Sequence, residues 1–178
     1  PQPSRLVKPV AYQKHFSYDV VFYGSWRRKG VDFMGEQVPS PHKYLVVGTY
    51  FAPMYNWGHR FRTGVSVDAL YDGSANVYTE DYIKGTEQQF YKPALSHQLA
   101  LGASGRIEYI MPFFTIGAGI GKHLLHKGGD FKGTYQSFSL KLQTTRNTFL
   151  HIGYKTKDFE EPNHLMLGFG FRFNNRTP

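Results

Sequence analysis

The chain has 178 residues, no cysteine, 21 basic and 13 acidic side chains, and a formal net charge of +8. That length suits one domain, and the missing thiols exclude disulfides, thiolate metal centres and cysteine nucleophiles. A mean hydropathy of −0.44 and the lack of an apolar run of about eighteen residues exclude a transmembrane helix; they do not exclude a membrane barrel, in which outward and inward residues alternate and average out.

Residues 1–13 show no charged segment followed by an apolar core, so no secretory signal is visible. The chain reads as a mature sequence, with 1–13 as a periplasmic tail and 14–178 as a single barrel domain. Two early strands, roughly Phe16 to Trp26 and Tyr44 to Pro53, alternate imperfectly. Phe61, Thr63, Val65, Val67 and Ala69 then alternate with Arg62, Gly64, Ser66 and Asp68. Leu99, Leu101 and Ala103 alternate with Gln98, Ala100, Gly102 and Ser104. Phe114, Ile116, Ala118 and Ile120 alternate with Thr115, Gly117, Gly119 and Gly121. Phe138, Leu140 and Leu142 alternate with serines, Lys141 and Gln143, and Leu150, Ile152 and Tyr154 with His151, Gly153 and Lys155. The last segment is the cleanest: Leu165, Leu167, Phe169, Phe171 and Phe173 against His164, Met166, Gly168, Gly170 and Arg172. A period of two with this contrast defines strands, eight in all.

One face is large and apolar throughout, whereas the other mixes small residues with Arg62, Asp68, Lys141, Lys155 and Arg172. A soluble barrel or sandwich would bury the large face and expose the polar one. Charges of both signs among small residues make a poor dry core but a reasonable narrow lumen. The expected fold is therefore all-β, an eight-stranded antiparallel transmembrane β-barrel of the bacterial outer membrane. Short connections near Asn56-Trp57-Gly58, Ser104-Gly105-Arg106 and Thr144 to Asn147 alternate with long ones at about Lys29 to His42, Asp72 to Pro93, Leu124 to Lys132 and Lys157 to Pro162. Read as periplasmic turns and extracellular loops, they leave both termini periplasmic.

Some points stay open. Tyr18, Trp26, Tyr44, Trp57, Tyr71, Tyr109, Phe171 and Phe173 fall near strand ends and either form interfacial girdles or reflect the strand preference of aromatics. Arg106 and Glu108 share the parity of outward Phe114, so either a bulge at Pro112 flips the register or both lie below the hydrocarbon. The loop from Asp72 to Pro93, with Glu80, Asp81, Glu87 and Tyr91, is long enough to be functional and carries no motif.

Basic residues are assigned to the long loops: Lys29, Lys43, Lys84, Lys92, Lys122, His123, His126, Lys127 and Lys132. Anionic lipid headgroups or lipopolysaccharide phosphates suit this placement, as does a solvated basic surface; no recognition motif points to nucleic acid. No phosphate loop, dinucleotide fingerprint or paired-histidine zinc helix is present. Gly117, Gly119 and Gly121 recur with period two and line one strand face. His123 and His126 are three apart, with no clear third ligand beside them. No cofactor or metal is expected.

The segment Leu150-His151-Ile152-Gly153-Tyr154-Lys155-Thr156-Lys157-Asp158-Phe159-Glu160-Glu161-Pro162-Asn163-His164 resembles the late strand-loop-strand of the outer-membrane lipid A 3-O-deacylases. These are eight-stranded barrels that remove an ester-linked acyl chain from lipid A. The resemblance covers about the last thirty residues and the strand count. It implies a lipid-facing site with a serine nucleophile, a histidine base and an acidic orienter, built from a His-x-Ser motif, a Pro-Asn loop and an acid in the last strand. Pro162-Asn163 matches. Gly153 and Lys155 fall at the histidine and serine places, a slip of one puts Tyr154 and Thr156 there, and the last strand has no acid.

A rearranged site would use His151 or His164 as base, Thr156 as nucleophile and Glu160 or Glu161 as orienter. A nucleophile needs its base within hydrogen-bond reach, and strand parity puts His151 in the lumen, opposite Thr156. The leading expectation is a barrel without the usual triad, acting as a lipid- or lipopolysaccharide-binding barrel or as an accessory subunit of an outer-membrane complex with other outer-membrane proteins. The alternative is an active lipid A or phospholipid acyl-ester hydrolase using His151, Thr156 and Glu160. A small channel is the third reading, opposed by lumenal Tyr135, Lys141, Lys155 and Arg172.

Overall fold

The computed structural model describes residues 12–33, 36–79, 89–159 and 161–175. Eight long strands close a barrel: β1 (His15–Arg27), β4 (Tyr44–Asn56), β5 (Phe61–Asp72), β6 (Leu99–Ile110), β7 (Phe114–His126), β8 (Thr134–Gln143), β9 (Thr148–Lys157) and β10 (Glu161–Phe173). Each pairs antiparallel with its neighbour, and β10 closes on β1 with Tyr18 opposite Phe173 and Gly24 opposite Leu167. Closure removes every long sheet edge. Gly168 permits it, because a side chain there would overlap the Phe22 carbonyl oxygen on β1. Two short strands, β2 (Gly30–Phe33) and β3 (Glu36–Pro39), form a hairpin in the loop after β1. The first barrel strand begins at His15; residues 1–11 of the expected tail lie outside the described residues, as do 176–178.

Side-chain parity follows the sequence pattern. Leu165, Leu167, Phe169, Phe171 and Phe173 face outward, while Arg62, Asp68, Tyr135, Lys141, Lys155 and Arg172 are buried in the lumen. The expected turn at Ser104–Arg106 is absent. β6 runs through it, and the chain reverses at Met111–Phe113, where the Met111 amide donates to the Phe114 carbonyl. Pro112 ends the ladder because it has no N–H to give. Arg106 and Glu108 therefore point into the lumen, and the three-residue turn accounts for the parity conflict with Phe114. Tyr44, one of the aromatics for which the sequence leaves a girdle place and a plain strand preference both open, is buried, with its hydroxyl against that of Ser40. Lys122 and His123 belong to β7 rather than to a loop, and His123 is buried; a bulge at Leu124 turns both Leu124 and Leu125 outward.

At the end away from the termini, Asn76 joins the long loops. Its amide side chain donates to the His97 carbonyl (2.8 Å) and accepts from the Gly129 amide (3.1 Å). Its backbone N–H donates to Asp130 (2.7 Å), which also pairs with Lys29 from the loop after β1. Residues 80–88 of the long loop, including Glu80, Asp81, Lys84 and Glu87, lie outside the described residues.

Candidate functional site

The barrel buries charge in layers. Nearest the terminal end, Asp19 on β1 accepts from Arg62 (2.7 Å), Lys141 (2.8 Å) and Arg172 (2.9 Å). Glu108 on β6 pairs with Arg62 and with Lys141 (2.7 Å). Five strands are tied by this one cluster. Above it, Arg106 pairs with Asp68 (2.9 Å) and stacks on the Tyr50 ring (3.8 Å). Tyr135 donates its hydroxyl to Asp68 (2.5 Å), and Lys155 lies over the Tyr135 ring (3.8 Å) and donates to His123 Nε2 (3.5 Å). At the loop end Arg27 ties Asp72 (3.3 Å) to Asn163. Buried charges persist only when so paired and bonded.

Among the described residues, His151, Thr156 and His164 do not come together. His151 is 1% exposed and sits between the rings of Tyr23 and Tyr50 (6.3 and 5.7 Å), and neither of its ring nitrogens has a hydrogen-bond partner. Thr156 lies on the opposite face of β9, and its hydroxyl donates to Gln136 on β8 (3.0 Å), an acceptor it shares with the Phe159 amide (2.9 Å). His164 is lumenal, bonded to Asn163 (3.1 Å) and stacked on Tyr23 (6.2 Å). Glu160 lies outside the described residues; Glu161 pairs with Lys157 through the backbone of β10 and β9. At the places that match the family's histidine and serine, Gly153 and Lys155 both carry lumenal parity, and Asn163 is the bulged residue where β10 slips against β9. His123 and His126 both flank the Phe131 ring, and among the described residues no group of three ligating side chains gathers for a metal.

Outside the barrel, between β5 and β10, lies an apolar depression of about 480 Å³. Its floor is Ala118. The cross-strand register surrounds it with Ile107 on β6 and Phe138 on β8, and next to these stand Ile116, Leu140, Ile152 and Tyr154. One small residue in a belt of large ones makes the hollow, a contrast present in the sequence but visible only once strand neighbours are known.

An eight-stranded closed barrel with an apolar outer face and an ionic lumen is the architecture of a transmembrane barrel. Residues 16–175 match the family described as acyloxyacyl hydrolase, C-terminal domain, and the chain belongs to that family. This agrees with the lipid A deacylase resemblance of its late strands. A comparison with curated proteins finds no match.

Proposed function

We propose that this chain is an outer-membrane barrel, with both termini periplasmic, that binds lipid or lipopolysaccharide without hydrolysing it. In that role it is a lipid-binding or accessory subunit beside other outer-membrane proteins. The carrying observation is that, among the described residues, no histidine ring bonds a serine or threonine hydroxyl, while Thr156 and His151 lie on opposite faces of one strand. A hydroxyl without a base in reach stays a weak nucleophile at neutral pH. The depression over Ala118 supports the lipid role: it lies on the outer face of the barrel and is lined by aliphatic and aromatic side chains, a surface suited to a lipid acyl chain. Exposed Lys43, Lys92, Lys122, Lys127 and Lys132 at the loop end supply cations for headgroup phosphates.

The test is mass spectrometry of lipid A and phospholipids from outer membranes with and without the protein, joined to native mass spectrometry of the purified barrel. The expected outcome is unchanged acylation and retained lipid adducts, with fewer adducts in Ala118→Phe. Acyl loss that requires the protein and disappears in His151→Ala and Thr156→Ala would make it an ester hydrolase. Adducts unaffected by Ala118→Phe would remove the depression from the argument.

A further inference from the structure

The outer depression follows one cross-strand row: Ile107 on β6, Ala118 on β7, Phe138 on β8, Tyr154 on β9 and Leu165 on β10 stand side by side. The row is not level. It leaves β1 at Phe16, passes through Tyr55 and Thr63, and after Leu165 returns to β1 beyond Gly24, which faces Leu167. It therefore climbs around the barrel from the terminal end to the loop end, as strand tilt in a closed barrel requires. Ala118 lies midway, and Tyr154 stands nearer the loops, about 10 Å along the row at two strand spacings.

The two ends of this groove differ. At the lower end Phe61 faces Tyr109, and exposed Trp57 and Phe113 continue the apolar surface below them. At the upper end the next outward residues above Phe138 and Tyr154 are Gln136 and Thr156, a facing pair. The Gln136 amide donates to the Thr134 hydroxyl (3.1 Å), which donates to Asp158 (3.0 Å), while Gln136 accepts from Thr156 (3.0 Å). On β1, β4 and β6 the last outward places before the loops hold Trp26, Leu45 and Leu99. The apolar belt is thus notched over β8 and β9. Polar groups set into hydrocarbon are costly, so the notch draws the polar part of a lipid down to the head of the groove.

Among the described residues no lysine, arginine or histidine lines the groove; Lys122, beside Thr134 in the register, stands outside it. The charge bonded into the notch, Asp158, is acidic. The donor at the upper end is the exposed phenol of Tyr154, which has no hydrogen-bond partner. A tyrosine near the edge of an apolar belt carries its hydroxyl toward the interface, and the uncharged acceptor that a bilayer lipid offers there is an ester carbonyl.

We propose that the groove binds a diacyl glycerolipid of the loop-side leaflet by its ester linkage: the Tyr154 hydroxyl donates to an ester carbonyl, and the acyl chain runs down the row over Ala118. The linkage is read, not the headgroup. This rests on the lipid-binding reading above and adds which part of the lipid is recognised.

The test is native mass spectrometry of the full chain in detergent, titrated with phosphatidylcholine bearing two ester-linked chains and with the dialkyl ether lipid of equal chain length. The diester should bind more tightly by roughly three- to tenfold, the worth of one net hydrogen bond. Tyr154→Phe should abolish the difference by weakening the diester alone. Tyr18→Phe, which removes an exposed phenol on β1 outside the groove, and Lys122→Gln should both preserve it. Circular dichroism checks that each variant keeps its sheet content. Equal affinity of the unmodified protein for the two lipids, or a preference that survives Tyr154→Phe, would overturn the inference. A preference lost in Tyr109→Phe instead would overturn the loop-side orientation. Tighter binding of phosphatidylglycerol, with the excess lost in Lys122→Gln, would overturn recognition of the linkage over the headgroup. Failure of the unmodified protein to bind either lipid is a different result, because it removes the lipid-binding reading itself.

Discussion

Asp19 holds more of this barrel together than any local reading of its sequence suggests. It sits on β1, is fully buried, and accepts from cations that arrive on β5, β8 and β10. Asp19→Asn would leave Arg62, Lys141 and Arg172 facing Glu108 alone. Uncompensated buried charge costs about 3–5 kcal/mol, and that is the expected fall in unfolding free energy in urea titrations of the barrel in lipid vesicles. Lys141→Met changes the balance the other way, from three cations against two carboxylates to two against two, and should cost less than Asp19→Asn. The reverse order would show that packing of the lysine stem, not charge balance, sets the cluster's contribution. Lumenal pairing also explains why Glu108, in this cluster, and Arg106, in the layer above it, defy assignment along the chain. Their partners, Asp68 and Arg62, are some forty residues away, and no local pattern reveals them.

Among the elements, strands whose two faces contrast strongly were legible from alternation, and β9 and β10 appear with the parity their sequences carry. Ser104-Gly105-Arg106 has turn composition and reads as a break in β6, yet Gly105 merely occupies an outward place on a continuous strand. The β2–β3 hairpin was hidden in a segment with no clean alternation. For the site, His151 was placed correctly in the lumen by parity alone, whereas the acceptor of the Thr156 hydroxyl, Gln136, lies on another strand and carried no signal. The loop lock around Asn76 makes a prediction at this scale. Burial pushes the Asp130 carboxyl up, but the Lys29 ammonium and the Asn76 amide more than reverse this and hold it below the ordinary carboxylate range. A depressed carboxyl stabilises the folded loops at pH above its unfolded value, about 4, and that contribution is lost as pH falls through the lower folded value. Hydrogen exchange at Asn76 and Gly129, corrected for intrinsic rates, should therefore show more opening between about pH 5 and about pH 2. Asp130→Asn should be open across the range and lack the step. A step that survives in Asp130→Asn would place its origin in another group.

For the molecule as a whole, lumen filling decides between a lipid-binding wall and a pore. An eight-stranded barrel leaves an interior just wide enough for side chains. Here that interior holds the Asp19 and Asp68 clusters, with Tyr50, Phe149 and Met166 packed among them and each 2% exposed or less. Arg27 then bridges β1, β5 and β10 at the loop end through Asp72 and Asn163. A permeating ion would have to separate several buried ion pairs in succession, each separation exposing charge in a low-dielectric interior at a cost of several kcal/mol. Planar-bilayer recordings of the purified barrel should accordingly show no resolved unitary conductance at moderate voltage. Asp19→Asn frees cations without removing volume and should remain silent too, while Tyr50→Ala with Phe149→Ala removes the packing itself and is the variant expected to leak. Unitary openings of the unmodified protein would mean that the ionic clusters rearrange on a timescale the static lumen does not convey, and would raise the channel reading from third place to first.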